Sequence, residues 1–128
     1  MVNVQELLDR LTTYEKNIES YKNKYGAANK IIIESTEEFE RESIKLALEY
    51  KVMGIPTGKG KIDNPTVTDV KNAVRNELFD LYIKLETQKS IKEANLEKFK
   101  MTQVQINAVQ SKLNWYKEEL RVPTSRNG

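Results

Sequence analysis

The sequence predicts an all-α fold, a long antiparallel helical hairpin of coiled-coil-like character that assembles into a four-helix or larger bundle. Two observations predict the hairpin: apolar residues recur at alternating steps of three and four in both halves, and a single Gly/Pro-rich stretch separates the halves. A third predicts the assembly, because the second half carries more apolar residues than one helix–helix seam can cover. With 128 residues, we expect a single domain.

The heptad positions define one seam on each helix. The first seam comprises Val4, Leu7, Leu11, Tyr14, Ile18, Tyr21, Tyr25, Ala28, Ile32, Ser35, Phe39, Glu42 and Leu46. The second comprises Val67, Lys71, Val74, Leu78, Leu81, Leu85, Gln88, Lys92, Asn95, Phe99, Thr102, Ile106, Val109, Leu113, Tyr116 and Leu120. Residues at this spacing lie on one face of a helix, so each seam should face the other.

The first helix is predicted over residues 3–50 and the connection over residues 51–65. Asn3 followed by Glu6 has the form of a capping box, which starts a helix. Only Gly26 interrupts the pattern before three glycines and two prolines crowd the connection.

The second helix is predicted over residues 66–121, with a flexible tail over residues 122–128. Thr66 and Asp69 form another capping signal directly after Pro65, and no glycine or proline follows until Pro123. A residue that precedes proline is disfavoured in the α region, so we expect the helix to end near Val122.

Folding the chain about this connection predicts that paired residue numbers add up to about 117. Tyr21 and Tyr25 then face Lys92 and Asn95. Together with Gln88, Lys92 and Asn95 form a polar seam that we interpret as setting the helix register. A hinge at Gly26 or a ligand-holding polar cavity is the alternative interpretation.

Composition excludes most familiar enzyme sites. The chain has no cysteine and no histidine, which removes thiol nucleophiles, the usual zinc ligands and the commonest general base. We therefore expect a non-enzymatic protein without a metal or another cofactor. The longest apolar run, residues 31–33, is far too short to span a bilayer, and we expect a cytoplasmic protein without membrane contact.

Two motifs suggest ligands only weakly. The stretch from Gly54 to Lys61 is similar to a phosphate-binding loop, but its glycine spacing is one residue short and a helix precedes it instead of a strand. Glu34, Glu38 and Glu42 share one helix face, yet carboxylate metal centres in helical bundles also use histidine. We interpret the first as a solvated connection and the second as a solvated acidic face.

The surplus apolar residues lie mostly on the second helix, beside its seam. The predicted protein interface consists of Phe79, Tyr82, Ile83, Leu96, Met101, Val104 and Trp115. An isolated hairpin would leave these residues in water, so a second copy of the chain, another protein, or both should cover them.

The resulting hypothesis is a small accessory protein that self-associates and binds another protein, as an adaptor, inhibitor, assembly factor or chaperone, of a phage or a mobile element. The alternative hypothesis is a nucleic-acid-binding accessory protein. It would use lysine-rich helix faces, with tyrosines beside them, and the Gly/Lys connection. Net charge is only +2, which favours the first hypothesis.

In outline, two long helices around a central connection resemble the β subunit of prefoldin and the helical hairpins of secretion-type export chaperones. The resemblance rests on layout alone and implies no site residue. The connection of prefoldin carries a β-hairpin, whereas residues 52–65 here hold only Val52, Met53, Ile55 and Ile62 as apolar residues, and we expect an irregular loop.

Overall fold

The computed structural model describes residues 3–127, with side chains to Leu120. The fold is all-α apart from one short hairpin, and its elements are helices α1 (Val4–Met53), α2 (Val67–Glu77) and α3 (Phe79–Asn127) and strands β1 (Ile55–Thr57) and β2 (Gly60–Ile62). By its contacts the chain divides into unit 1, Met1–Gly26 with Lys92–Gly128, and unit 2, Ala27–Ile91. Helices α1 and α3 each contribute to both units.

Both predicted helix starts are present. The Asn3 Oδ1 atom accepts a hydrogen bond from the Glu6 backbone N–H at 2.8 Å, which caps α1. At α2, the Thr66 Oγ1 accepts from the Asp69 N–H at 3.1 Å while Asp69 Oδ2 accepts from the Thr66 N–H at 3.0 Å. This reciprocal pair satisfies two backbone donors that a helix start would otherwise leave unpaired.

Apart from Tyr50, the buried residues of α1 and α3 occupy predicted seam positions. On α1 the buried seam positions are Leu7, Ala28 and Ser35, and on α3 they are Leu85, Asn95, Thr102, Ile106 and Val109. The predicted register is also confirmed locally in unit 1, where the Lys92 ammonium lies 5.4 Å from the ring centroid of Tyr25. The helical hairpin interpretation therefore describes the pairing of α1 with α3 in each unit.

The second helix is not continuous from 66 to 121, because Leu78 separates α2 from α3. Leu78 has φ −100° and ψ 24°, although its N–H still donates to the Val74 carbonyl oxygen at 2.9 Å. The placement of Val67 and Lys71 on the seam is wrong: both are exposed, while Val70 and Val74 are buried. A continuous seam would have buried the Lys71 ammonium, and burying an unpaired charge is costly.

The connection contains a β-hairpin, so the expectation of an irregular loop is wrong. Strands β1 and β2 pair antiparallel, with Ile55 opposite Ile62 and Thr57 opposite Gly60. Ile55 anchors the hairpin because it is buried in a cluster with Tyr50, Val70 and Val74. Gly54 precedes β1 at φ +85°, a conformation that side chains disfavour.

The predicted end of the second helix also differs from the structure. Helix α3 continues through Pro123 to Asn127, whereas we expected a flexible tail from residue 122. Pro123 lacks a backbone N–H, so one hydrogen bond is missing from this last part of the helix. Of the predicted tail, Gly128 lies outside the described residues.

Candidate protein-interaction surfaces

The α3 outer stripe of unit 1, which we define as Met101, Val104, Ala108 and Trp115, lies in solvent. Its three large side chains are 64%, 68% and 57% exposed, respectively. At about 100° per residue, the stripe lies about 140° around α3 from the buried seam positions Thr102, Ile106 and Val109. The segment of α1 that covers the seam therefore does not cover the stripe.

Trp115 is held in place by its neighbour along the chain. The rings of Trp115 and Tyr116 meet edge to face, with centroids 5.1 Å apart and planes inclined by 71°. Aromatic pairs favour this geometry because the positive ring edge meets the negative face. Trp115 is thereby oriented while much of its surface stays accessible, which is how an aromatic anchor at a protein interface is presented.

Unit 2 has two comparable outer faces. Phe79 and Ile83 lie one turn apart on α3 and are 54% and 44% exposed. On α1, Ile44, Leu48 and Val52 follow one another at four-residue steps and are all exposed. Both sets lie roughly opposite the buried seams of their helices, by the same angular estimate. The sequence pattern predicted Phe79 and Ile83 as surplus apolar residues, and the structure places them in solvent.

Two of the predicted interface residues, Tyr82 and Leu96, are half-buried by other residues of the same chain. The Tyr82 ring lies 6.4 Å from the Phe39 ring and 5.4 Å from the Arg75 guanidinium carbon. Leu96 is half-buried and lines a small cavity of about 320 Å³ with Lys22, Tyr25 and Phe99. The exposed set therefore comprises five of the seven predicted residues: Phe79, Ile83, Met101, Val104 and Trp115.

The polar seam residues are all buried or half-buried in the structure. In unit 1, Asn95 is 6% exposed and Lys92 is half-buried with its ammonium over Tyr25. In unit 2, Gln88 is half-buried. The aliphatic stem of Lys92 can stay in the seam because the tyrosine ring stabilises its charged end.

Two of the tyrosines that could stack on bases, Tyr21 and Tyr25, each have a lysine ammonium over the ring. Besides the Lys92–Tyr25 pair, the Lys98 ammonium lies 5.7 Å from the Tyr21 ring centroid. All four residues belong to unit 1. Such a cluster is basic, but one face of each ring is occupied by a cation and is not open to a base.

The motifs with weaker ligand signals form no converging site within residues 3–120. No group of three or more acidic side chains is placed there to hold a metal ion, Glu34, Glu38 and Glu42 included. In the connection, the Lys61 ammonium donates to the Met53 carbonyl oxygen at 3.4 Å and pairs with Asp63 at 3.7 Å. No helix of the described part is long and apolar enough to cross a bilayer.

Sequence reasoning missed an open groove between α1 and α2, about 350 Å³ in volume, which we call the α1–α2 groove. It is lined by Phe39, Ser43 and Ala47 of α1 and by Val70, Lys71, Val74 and Arg75 of α2. The three α1 residues are spaced by four, so the sequence alone shows that they share one helix face. The α2 residues of the lining could not be predicted, because they depend on the rotation of α2 relative to the predicted seam.

A second cavity of about 340 Å³ lies beside the hairpin and includes Tyr50 and Lys61 among its lining residues. Burial raises the pKa of the Tyr50 hydroxyl, and the nearby carboxylates of Glu77 and Glu49 raise it further. The neutral phenol is therefore the favoured form here. Tyr50 contributes to the hydrophobic cluster with Ile55, Val70 and Val74.

Comparison with known proteins gave no match to a family model, to a curated protein or to a solved structure.

Proposed function

We propose that this chain is a non-enzymatic, cytoplasmic interaction protein that self-associates and binds another protein. The observation that supports the proposal is the exposure of large apolar side chains on the helix faces directed away from the α1–α3 seams. Contiguous apolar patches of a few hundred Å² on a protein surface are often functional. Adaptor, inhibitor, assembly-factor and chaperone roles all use such surfaces.

The size of the α3 outer stripe limits how tightly it can hold a second copy. From their exposed fractions, Met101, Val104 and Trp115 offer about 400 Å² on one copy, so a symmetric pair would bury about 800 Å². Stable interfaces bury about 1,200–2,000 Å². Self-association through this stripe alone should therefore be weak and depend on concentration, and a four-helix bundle needs further apolar faces such as that of Phe79 and Ile83.

Sedimentation equilibrium across a wide concentration range tests self-association. We expect the average mass to rise above that of one chain, and Trp115→Ala to shift the rise to higher concentration. Gln110→Ala, an exposed change on α3 outside the stripe, should leave the curve unchanged. Trp115 is the only tryptophan, so a shift of its emission to shorter wavelength on association would report burial of this residue.

Other outcomes would count against the proposal. If Trp115→Ala alters neither the mass curve nor the capture of a protein partner by the tagged chain, the stripe is not the interface. If the protein stays monomeric and captures no partner, self-association and partner binding are both wrong.

The second candidate is a nucleic-acid-binding accessory protein. It is favoured by the cluster of lysines around two tyrosines in unit 1, where Lys92 and Lys98 lie over Tyr25 and Tyr21. DNA or RNA affinity that falls steeply with salt would support it, since phosphate contacts release counterions. Lack of retention on both DNA and RNA at low salt would exclude it.

A further inference from the structure

The α1–α2 groove combines an apolar floor with cations at its rim. Val70 and Val74 of α2 are buried, and Phe39 and Ala47 of α1 are half-buried beside them. Because α2 is rotated relative to the predicted seam, Lys71 borders the groove instead of filling the space between the helices. The groove therefore depends on which face of α2 packs against α1, a face that the predicted seam did not include.

The two cations of the groove have no anionic partner. Lys71 and Arg75 are the ionisable residues in the lining, and no carboxylate lies among the lining residues. Within residues 3–120 neither side chain takes part in an ion pair. Arg75 is held by the Tyr82 ring, with its guanidinium carbon 5.4 Å from the ring centroid. This contact orients the guanidinium while leaving its N–H groups able to donate to an anion.

A third feature of the groove is an unpartnered hydroxyl. The Ser43 Oγ atom is buried and has no hydrogen-bond partner among the described residues. Buried polar groups are rarely left unpaired, so such a group calls for an explanation. Because this atom has almost no accessible surface, a ligand in the open groove reaches it only if the lining side chains shift.

We propose that the α1–α2 groove binds an acidic segment of a partner protein. The segment inserts an aliphatic side chain between Val74 and Ala47 and places a carboxylate on Arg75 and Lys71. This inference rests on the proposed function and names the chemistry of the partner. A volume of about 350 Å³ accommodates one or two aliphatic side chains, and the two unpaired cations select a carboxylate beside them.

Selection of random displayed peptides on the full-length protein tests this chemistry directly. We expect the selected sequences to be enriched in aspartate or glutamate next to leucine, isoleucine or methionine. The same selection is repeated on Arg75→Gln, which keeps much of the side-chain stem but removes the charge, and on Lys84→Gln. Lys84 is an exposed α3 lysine outside the groove lining, so this variant removes one positive charge without altering the groove.

The acidic preference should persist on Lys84→Gln and disappear on Arg75→Gln. The strongest selected peptide should bind Arg75→Gln at least about tenfold more weakly, as expected for the loss of a charge-assisted hydrogen bond. Methyl resonances of Val70, Val74 and Ala47 should shift on titration with that peptide, which would place it in the groove.

Three results would overturn the proposal: no acidic enrichment, an equal acidic enrichment on Arg75→Gln, or methyl shifts confined to other residues. Selected sequences that match the chain's own acidic stretch, residues 34–42, would identify a second copy of the chain as the ligand of the groove. That result would overturn the proposal of a partner protein. Sedimentation and partner capture with Arg75→Gln distinguish failure of the groove assignment from failure of the proposed function. If both persist unchanged while the groove tests fail, only the groove assignment is wrong.

Discussion

Replacing Gly26 by alanine should stabilise the protein. Gly26 is an exposed residue inside α1, and a Cβ atom built there meets no atom within 4 Å. In a helix interior, glycine is about 0.5–1 kcal/mol less favourable than alanine, because it loses more backbone freedom on folding. We therefore expect Gly26→Ala to raise the free energy of unfolding by about 0.5–1 kcal/mol, or Tm by about 2–5 °C for a chain of this size.

Urea and thermal unfolding followed by circular dichroism at constant protein concentration would measure this change. Gly54→Ala serves as the opposite case. Gly54 has φ +85°, and an added Cβ would lie 2.7 Å from the Ile62 carbonyl oxygen. That substitution should lower the free energy of unfolding by at least about 1–2 kcal/mol. No gain, or a loss, for Gly26→Ala would refute the reasoning and favour the hinge interpretation of this glycine.

Three further changes test separate parts of the fold. Thr66→Ala removes the side-chain half of the α2 capping box and should cost about 1 kcal/mol in urea unfolding; an unchanged midpoint would show that the cap is not needed. Leu7 is 0% exposed, so Leu7→Ala should cost about 2–4 kcal/mol, whereas a loss below 1 kcal/mol would indicate that this end frays before global unfolding. The raised pKa of Tyr50 stabilises the folded state below the unfolded pKa of about 10, and this contribution is lost as pH rises through the folded pKa. Tyr50→Phe should therefore flatten the loss of stability above pH 10, and an unchanged alkaline profile would contradict the assignment.

The seams could be predicted from sequence because a helix converts a step of three or four into a common face. Leu85, Ile106 and Val109 are buried at positions that the heptad pattern predicts. The capping box at Thr66 could be predicted for a similar reason, since both of its hydrogen bonds are local. Local periodicity and local hydrogen bonds are the features that a single sequence carries most directly.

The break at Leu78 and the hairpin could not be predicted because both depend on packing between distant residues. No glycine or proline marks Leu78, and the helical hydrogen bond from its N–H to Val74 is retained. The rotation of α2 instead follows from the cluster that Val70 and Val74 form with Tyr50 and Ile55. Because that cluster includes Ile55 of β1, a seam extrapolated through Lys71 misses it.

Some of the candidate surfaces could be predicted from the sequence, and others depend on packing between the helices. The exposure of Met101, Val104 and Trp115 follows from their angular distance to the seam, which periodicity gives. Tyr82 and Leu96 were predicted with them, but each lies near the edge of a seam, where contacts across the helices decide its burial. The α1–α2 groove depends on the rotation of α2, which the heptad pattern does not contain. The unpaired Ser43 hydroxyl in its lining is likewise invisible in the sequence.

We expect the polar seam to restrict how copies of the chain pair, as well as the register within one chain. The short connection and the anchoring of Ile55 already restrict how far α2 can slide along α1. A helix of a second copy has no such tether, and a polar seam residue disfavours pairings that place it against an apolar residue. The polar seam should thus restrict which assemblies form when copies of the chain meet.

Asn95→Leu tests this argument. Leucine fits a seam position but removes the polar penalty against misaligned partners, so the variant should keep its helix content and populate additional oligomeric species in sedimentation velocity. Gln103→Leu adds the same apolar residue at an exposed α3 position and controls for hydrophobicity alone. A single species with the wild-type mass for Asn95→Leu, or the same new species for both variants, would mean that Asn95 does not govern partner choice. Additional species for Asn95→Leu alone would assign that role to the seam, because only there does the side chain face a pairing helix.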